Sequence, residues 1–352
     1  MRVRLEDVCE KESSKLKQSD VIDQNGLYPV YGASGYLGNI NTYQQPNYYI
    51  AVVKDGAGIG RTMLLPPESS IIGTMQYLIP KDNVLPEYLY YVVKAKHLEK
   101  YFSGATIPHI YFKDYKNEQF DLVSFEEQRE IINRLKKIEI IIDNLSKNLL
   151  LLDELVKARF VEMFGDVQDA KKHSGIQLKD ICNTVTGGTP STKHVEYYNG
   201  TIPWISTVSL GPNYIDGTTA KAFITQEAVD NSSTKIIPLG SILFGTRVGV
   251  GKSSINQVEM CTNQDIVAII DLDESKYNKL YIKYVLDTYQ SYFDSIKKGA
   301  TILGISSDDL KNIYIPDASL YEQNRFEKFV KQIDKSRLLS NHLLFLIKSL
   351  IF

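Results

Sequence analysis

The run SILFGTRVGVGKSS at 241–254 is the first place to look for phosphate chemistry. A β-rich segment leads into Gly249-Val250-Gly251-Lys252-Ser253, an order of residues that can cradle a nucleotide. The spacing does not complete that motif, because Thr246 stands where its first glycine is needed. IVAIIDLDE at 266–274 would supply the acidic, magnesium-holding side of such a site. It begins 13 residues after Ser253, which leaves no room for the crossover helix between parallel strands. The glycines are therefore expected in a strand-to-strand turn, with a nucleotide-hydrolysing protein as a competing reading.

No other arrangement points to catalysis. His97, His109, His173, His194 and His342 lack metal-ligand spacing, and Cys9, Cys182 and Cys261 are wrongly spaced for zinc or a disulfide framework. There is no G-x-S-x-G elbow. The glycine-rich and Asn/Asp-Pro-Pro-aromatic parts of an adenine methyltransferase are missing too. A non-catalytic chain with no cofactor and no metal is expected.

Composition fits a soluble globular protein, 43% hydrophobic and 23% charged, and 352 residues suffice for two ordinary domains or three small ones. Its apolar runs fall short of the roughly 18–20 residues of a membrane span. No basic-then-apolar signal precedes Leu5, so a cytoplasmic location is expected. The net charge of −2 offers no general attraction for nucleic acid, which would need local patches or basic partners.

The elements that would position any site are written twice. SGATIPHIYFKDYKN at 103–117 and KGATILGISSDDLKN at 298–312 agree at eight of fifteen positions. LEDVCE at 5–10 answers LKDICN at 178–183, and YPVYGAS at 28–34 answers IPWISTV at 202–208. GAGIGR at 56–61 answers RVGVGK at 247–252, TMQ at 74–76 answers TNQ at 262–264, and YLYYVV at 88–93 answers YIKYVL at 281–286. The offset climbs from 173 to 195 with one small step back, so a whole module is duplicated. Each copy reads as short strands, a helical stretch, the Gly-Ala-Thr-Ile loop and a long final helix, an α+β class.

The long helices carry a heptad seam. Ile131, Leu135, Ile138, Ile142, Leu145, Leu149, Leu152 and Val156 alternate steps of four and three. The second copy gives Phe326, Val330, Ile333, Leu344, Ile347 and Ile351, with Arg337 and Ser340 interrupting its middle. A local register shift onto Leu338, Leu339 and Leu343 is the expected remedy, and a polar alignment device is the alternative. The first helix would be roughly 58 Å long. The short linker at 166–175 reaches at most about 35 Å, so it cannot return along that helix. An antiparallel pairing of the two helices is expected. The expected domains are 1–124 and 176–319, with spacer helices at 125–165 and 320–352.

TGGTPSTKHVEYYNGTIPWISTVSL at 186–210 resembles the opening of a target-recognition domain in the specificity subunits of type I restriction–modification enzymes. YPVYGASGYLG at 28–38 with KDGAGIGR at 54–61 resembles another variant of that domain. FEEQREIINRLKKIE at 125–139 and KARFVEMFGD at 157–166 resemble the family's helical spacer. The resemblance implies two target-recognition domains on an antiparallel coiled coil. It also implies a role in reading a split, asymmetric sequence in double-stranded DNA, docked to methyltransferase subunits and endonuclease/translocase subunits. Two departures stand out: the second helix stops at Phe352, and the first domain lacks the Thr-Gly-Gly-Thr-Pro stretch. The competing reading is a coiled-coil scaffold with two binding lobes.

Base contacts need polar side chains on loops. In the first copy the candidates are Ser34, Tyr36, Lys54, Arg61, Thr106 and His109. In the second they are Thr189, Ser191, Lys193, Ser206, Arg247, Lys252, Lys297, Lys298 and Thr301. Trp204 is expected in the core. Positions that differ between copies, such as His109 against Gly304, are the better candidates for specificity.

Overall fold

Alternating β-branched and aromatic runs in each copy fold as two small sheets packed beside helices. The computed structural model describes residues 1–352 except 23–24, 105–107, 166, 168–174, 300 and 352, together with the side chains of 350 and 351. The chain forms two compact units, Met1–Lys147 with Asn341–Phe352, and Asn148–Ser340.

In the first unit a four-stranded antiparallel sheet runs in the order Cys9–Ser13, Met75–Pro80, Tyr49–Val53, Thr62–Leu65. A second sheet places Tyr28–Gly32 between antiparallel Gly35–Ile40 and parallel Ser70–Ile71. The core packs Ile50, Val52 and Leu78 against Leu89 and Val93 of the helix Pro86–Lys94 and against Ile132.

The second unit repeats this plan strand for strand. Its larger sheet runs Asn183–Thr186, Ile266–Ile270, Ile242–Gly245, Ser253–Asn256, with Tyr214–Ile215 added at the edge. Its smaller sheet places Ile202–Ile205 between antiparallel Ala222–Ile224 and parallel Cys261–Thr262. Even sulfur contacts recur: the Cys9 thiol donates to the Leu5 carbonyl at 3.2 Å and the Cys182 thiol to that of Leu178 at 3.1 Å.

Strand register corrects one sequence correspondence. Tyr31 pairs with Ile71 and Ile205 with Thr262. Ile72 N–H donates to the Tyr31 carbonyl, and Asn263 N–H to that of Ile205. The counterpart of Thr74 is therefore Asp265, not Thr262, and the TMQ/TNQ match is a chance identity three residues out of place. Without it, the step back in the offset disappears.

The long helices span Phe125–Phe164 and Leu320–Ile351. Both start with a capping box: Ser124 with Glu127, and Ser319 with Glu322, exchange side-chain and backbone hydrogen bonds. The fourth residue of each helix is a buried glutamine. Gln128 Oε1 accepts from Leu85 N–H at 2.8 Å and its amide donates to the Val123 carbonyl at 3.0 Å. Gln323 Oε1 accepts from Asn278 N–H at 2.8 Å, and its amide donates to the carbonyls of Ala318 and Lys276. Each glutamine so ties its long helix to the start of the shorter helix, Pro86–Lys94 or Lys279–Thr288.

The heptad stripe is the covered face of both helices. Ile131, Leu135, Ile138, Ile142, Leu145, Leu149 and Leu152 are half-buried and Val156 is buried, while Ile140, Leu150 and Leu151 are exposed. Phe326, Val330 and Ile333 are buried, and Leu344 and Ile347 half-buried; the Ile351 side chain lies outside the described residues. Within the second unit Phe160 meets Phe326 edge-on at 5.4 Å and Asp153 pairs with Arg337 at 2.5 Å, so the two segments there run antiparallel. Within the first unit Lys348 lines a cavity with Ile142 and Ser146.

The expected register shift does not occur. Leu338 and Leu339 are each 71% exposed, whereas Arg337 stays in the stripe at 22%, held by Asp153 and Asp334. The guanidinium keeps the seam in register because a shift would take it from Asp153 on the facing helix, leaving only Asp334 of its own helix beside it. The expected linker at 166–175 lies outside the described residues apart from Val167 and Gly175; Val167 is buried in the second unit's core.

Replacing Gln323 by leucine should leave the Asn278 N–H unpaired and cost about 1–3 kcal/mol. Urea denaturation should show a lower midpoint at unchanged slope, and Gln128→Leu should behave alike.

Candidate nucleic-acid interface

The turn that first suggested phosphate binding joins two antiparallel strands, Ile242–Gly245 and Ser253–Asn256. No helix follows it, so the backbone cannot aim amides at a phosphate as a P-loop does. Its glycines serve closure. Gly249 and Gly251 have φ of 70° and 90°, and a Cβ on Gly251 would sit 1.8 Å from Gln290 Oε1. Gly60, its counterpart, has φ of 81°. The same bonds close both turns: Gly60 N–H to the Val53 carbonyl and Gly251 N–H to that of Gly245.

The described residues that flank the repeated Gly-Ala-Thr-Ile segment lie beside this turn in each unit. Ser103 and His109 exchange backbone hydrogen bonds at 2.8 Å, as do Lys298 and Gly304 at 2.8 and 3.0 Å. Ile110 N–H then donates to the Lys54 carbonyl, and Ile305 N–H to that of Thr246. Glycine turn and junction loop thus form one ledge in each copy.

Most of the candidates lie on or beside these ledges. In the first unit His109 Nδ1 is 2.7 Å from Asp55 Oδ1, and Lys54 Nζ is 2.9 Å from Asp55 Oδ2. Because a carboxylate only accepts, His109 Nδ1 carries the proton. Arg61 donates to the Ala33 carbonyl at 2.7 Å, bringing it next to exposed Ser34. Tyr36 is 62% exposed and lies edge-on to Tyr31 at 6.2 Å. Thr106 lies outside the described residues.

In the second unit Arg247 Nη1 is 3.5 Å from Asp265 Oδ1. Thr189 donates to Gln264 Oε1, and Gln264 adjoins Asp265. Lys298 is exposed on the junction loop with Thr301, while Lys297 is paired with Asp294. Lys252 is exposed and lies along Gly249. Ser191 and Lys193 are exposed in a turn closed by His194 N–H on the Ser191 carbonyl. Ser206 differs from the rest in being buried, at 8% exposed.

Trp204 is buried, as expected, and its indole donates to the Gly188 carbonyl at 3.0 Å. A Cβ on Gly187 or Gly188 would come within 2.1 or 2.4 Å of neighbouring atoms, so the Thr-Gly-Gly stretch serves close packing. The cysteines are not nucleophiles. Burial pushes Cys9 up to about 12 and Cys182 and Cys261 up to about 11, holding them as neutral thiols at physiological pH.

Sequence reading missed Gln264 and the acids Asp55 and Asp265. Gln264 and Asp265 fell beside the misplaced TMQ/TNQ match, and only strand register reveals them. The clamping glutamines were also missed, although the Ser-x-x-Glu box ahead of them is a readable helix-start signal.

The description "Type I restriction modification DNA specificity domain" belongs to a family model that matches residues 1–151 and again 173–348. The chain belongs to this family. Similar proteins include the specificity subunit of the type I restriction enzyme MjaIX of Methanocaldococcus jannaschii, 33% identical over 159 residues. That match covers 45% of this chain and 37% of the relative. The EcoR124I/EcoR124II specificity subunit of Escherichia coli is 34% identical over 167 residues, covering 45% and 40%. The chain therefore matches less than half the length of either. The crystal structure of a type I restriction–modification S subunit from M. genitalium matches with a TM-score of 0.54 at 15% identity, covering 100% of this chain and 93% of that one. A chain from a structural study of assembly and conformational transition in the type I R-M system gives 0.64 at 16%, covering 100% and 95%. The α+β fold with two family domains is thus shared with known S subunits.

Gly251→Ala forces a left-handed backbone on a residue with no room for its Cβ, at a cost of about 1–3 kcal/mol. A lowered thermal midpoint should report it, with nucleotide analogues giving no protection to either protein.

Proposed function

We propose that this chain is the DNA-reading, non-catalytic subunit of a type I restriction–modification complex. One recognition module would read each half of a split, asymmetric target. The carrying observation is the duplicated ledge: equal backbones presenting different side chains, as two readers of unequal half-sites require. Membership of the DNA specificity family supports the same reading.

The two long helices act in this reading as an antiparallel coiled coil that sets the unread gap. Support comes from the covered heptad stripe and from the Phe160–Phe326 and Asp153–Arg337 contacts. The domain limits proposed are 1–124 and 176–319, with spacers at 125–165 and 320–352. Methyltransferase subunits, and endonuclease/translocase subunits with them, dock on the chain. Exposed Leu150, Leu151, Leu338 and Leu339, which face away from the seam, suit such a partner. No helix among the described residues is long and apolar enough to cross a membrane, and the proposed place of work is the cytoplasm, with the host's DNA.

The proposed DNA contacts are Ser34, Tyr36, Lys54, Arg61 and His109 in the first module. In the second they are Thr189, Ser191, Lys193, Arg247, Lys252, Lys298 and Thr301, with Lys297 near them. Several of these cations are already paired with acids, and the net charge is −2. Partner subunits must then supply much of the phosphate neutralisation.

The chain alone should bind duplex DNA weakly and lose that binding steeply between about 50 and 200 mM salt. Co-expression with the methyltransferase subunits encoded beside it should methylate adenines within a split motif, mapped genome-wide. Exchanging one module should change one half of that motif; an unsplit motif, or none, overturns the proposal.

A further inference from the structure

The two ledges carry the same kind of polar pair, a nitrogen-bearing side chain facing a carboxylate, with its halves exchanged. Lys54 and Thr246 are counterparts: their N–H groups donate to the carbonyls of Thr74 and Asp265, and their carbonyls accept from Ile110 and Ile305. The turn is one residue shorter in the second unit, as the closing bonds Gly60 to Val53 and Gly251 to Gly245 show. The next residue on it is therefore Asp55 in one unit and Arg247 in the other, not Gly56 against Arg247. His109 and Gly304 are counterparts through their reciprocal bonds to Ser103 and Lys298.

In the first unit the turn provides the acid and the junction loop provides the base, His109. In the second the turn provides the base, Arg247, and its acid Asp265 stands where the first has Thr74. Gly304 explains the exchange. A Cβ there would lie 2.9 Å from Arg247 Cγ and 2.7 Å from the Thr246 carbonyl oxygen. Arg247 therefore occupies the space into which a side chain at 304 would grow, the place His109 holds in the first unit.

We infer that His109 and Arg247 are the specificity-determining residues at equivalent positions of the two half-sites, oriented by Asp55 and Asp265. This rests on the DNA-reading function proposed above. Both side chains keep an open face, His109 at 35% and Arg247 at 54% exposure, while Asp265 is more deeply set at 16%. Asp55 commits the Nδ1 proton of His109 and leaves Nε2 for a base edge. Asp265 faces one terminal nitrogen of Arg247, leaving the planar fork to address the O6 and N7 acceptors of guanine. Asp55 and Asp265 are positioning residues in this scheme. Similar backbones thus read different bases because the reading side chain enters the same space from different loops.

The test uses the purified complex of the full chain with its methyltransferase subunits. Duplexes carry the mapped motif, with each base pair substituted in turn. Wild-type complex that discriminates at no position defeats the DNA-reading function itself. Given discrimination, His109→Ala should reduce it at one position of one half-site from about 5–100-fold to below about threefold. Arg247→Ala should do so at one guanine of the other half only. Asp55→Asn, which also releases Lys54, should weaken discrimination at the His109 position and at no position of the other half-site, a selectivity that a merely structural role would not give. Equal weakening on every duplex with the motif unchanged, or loss in both halves, overturns the inference. Should an alanine variant fail to assemble, His109→Gln and Arg247→Lys replace it. An altered base preference supports the inference and an unaltered one overturns it.

Discussion

A buried glutamine at the start of each long helix is the tie on which the arrangement depends. Gln128 and Gln323 each satisfy an N–H at the head of a neighbouring helix while bonding a carbonyl ahead of their own. The other polar links between each module and its long helix, such as Tyr91 to Glu139 and Asn213 to Asp334, lie farther along the helix, and apolar contacts alone fix distance poorly and rotation hardly at all. A hydrogen-bonded amide with no water to compete fixes both. The capping boxes at Ser124 and Ser319 add a defined entry angle. The module's orientation on its stalk is therefore set by polar groups, and its stability by the hydrophobic core behind them.

The seam follows a related logic. A wholly aliphatic stripe tolerates sliding by a heptad, since every position looks alike. Arg337 removes that tolerance in the second unit, where Asp153 and Asp334 neutralise it on either side. Its Nε has no partner among the described residues, a modest cost beside the loss of Asp153. Leu338 and Leu339, free of the seam, remain on the outer face.

The duplication, the α+β class and the heptad stripe were legible because each is a periodic or repeated pattern over many residues. The glycine turn was legible for a different reason: its spacing forbade the nucleotide motif it imitated. What misled was short identity. Thr74-Met75-Gln76 and Thr262-Asn263-Gln264 share two residues, yet strand pairing sets them three apart. The polar seam was legible as an anomaly, but its outcome turned on Asp153, which lies 184 residues from Arg337 in sequence. Arg247 and Gly304 could not be related from sequence, since their proximity arises only when the junction loop closes on the turn. Ser206 shows the converse limit, a suitable residue type in a loop-like stretch that folding buries.

The bracket holding each junction loop is made mainly of main-chain atoms. Ser103 with His109, and Lys298 with Gly304, exchange amide and carbonyl bonds, to which the Ser103 hydroxyl adds a 3.4 Å bond to the His109 carbonyl. Such a clasp asks little of the side chains at its ends, which are Ser103 and His109 in one copy and Lys298 and Gly304 in the other. Mutation can rewrite these residues without unfastening the loop, so recognition can wander through sequence space while the scaffold stands still. A lineage pressed to change its target quickly would profit from a fastening of this kind.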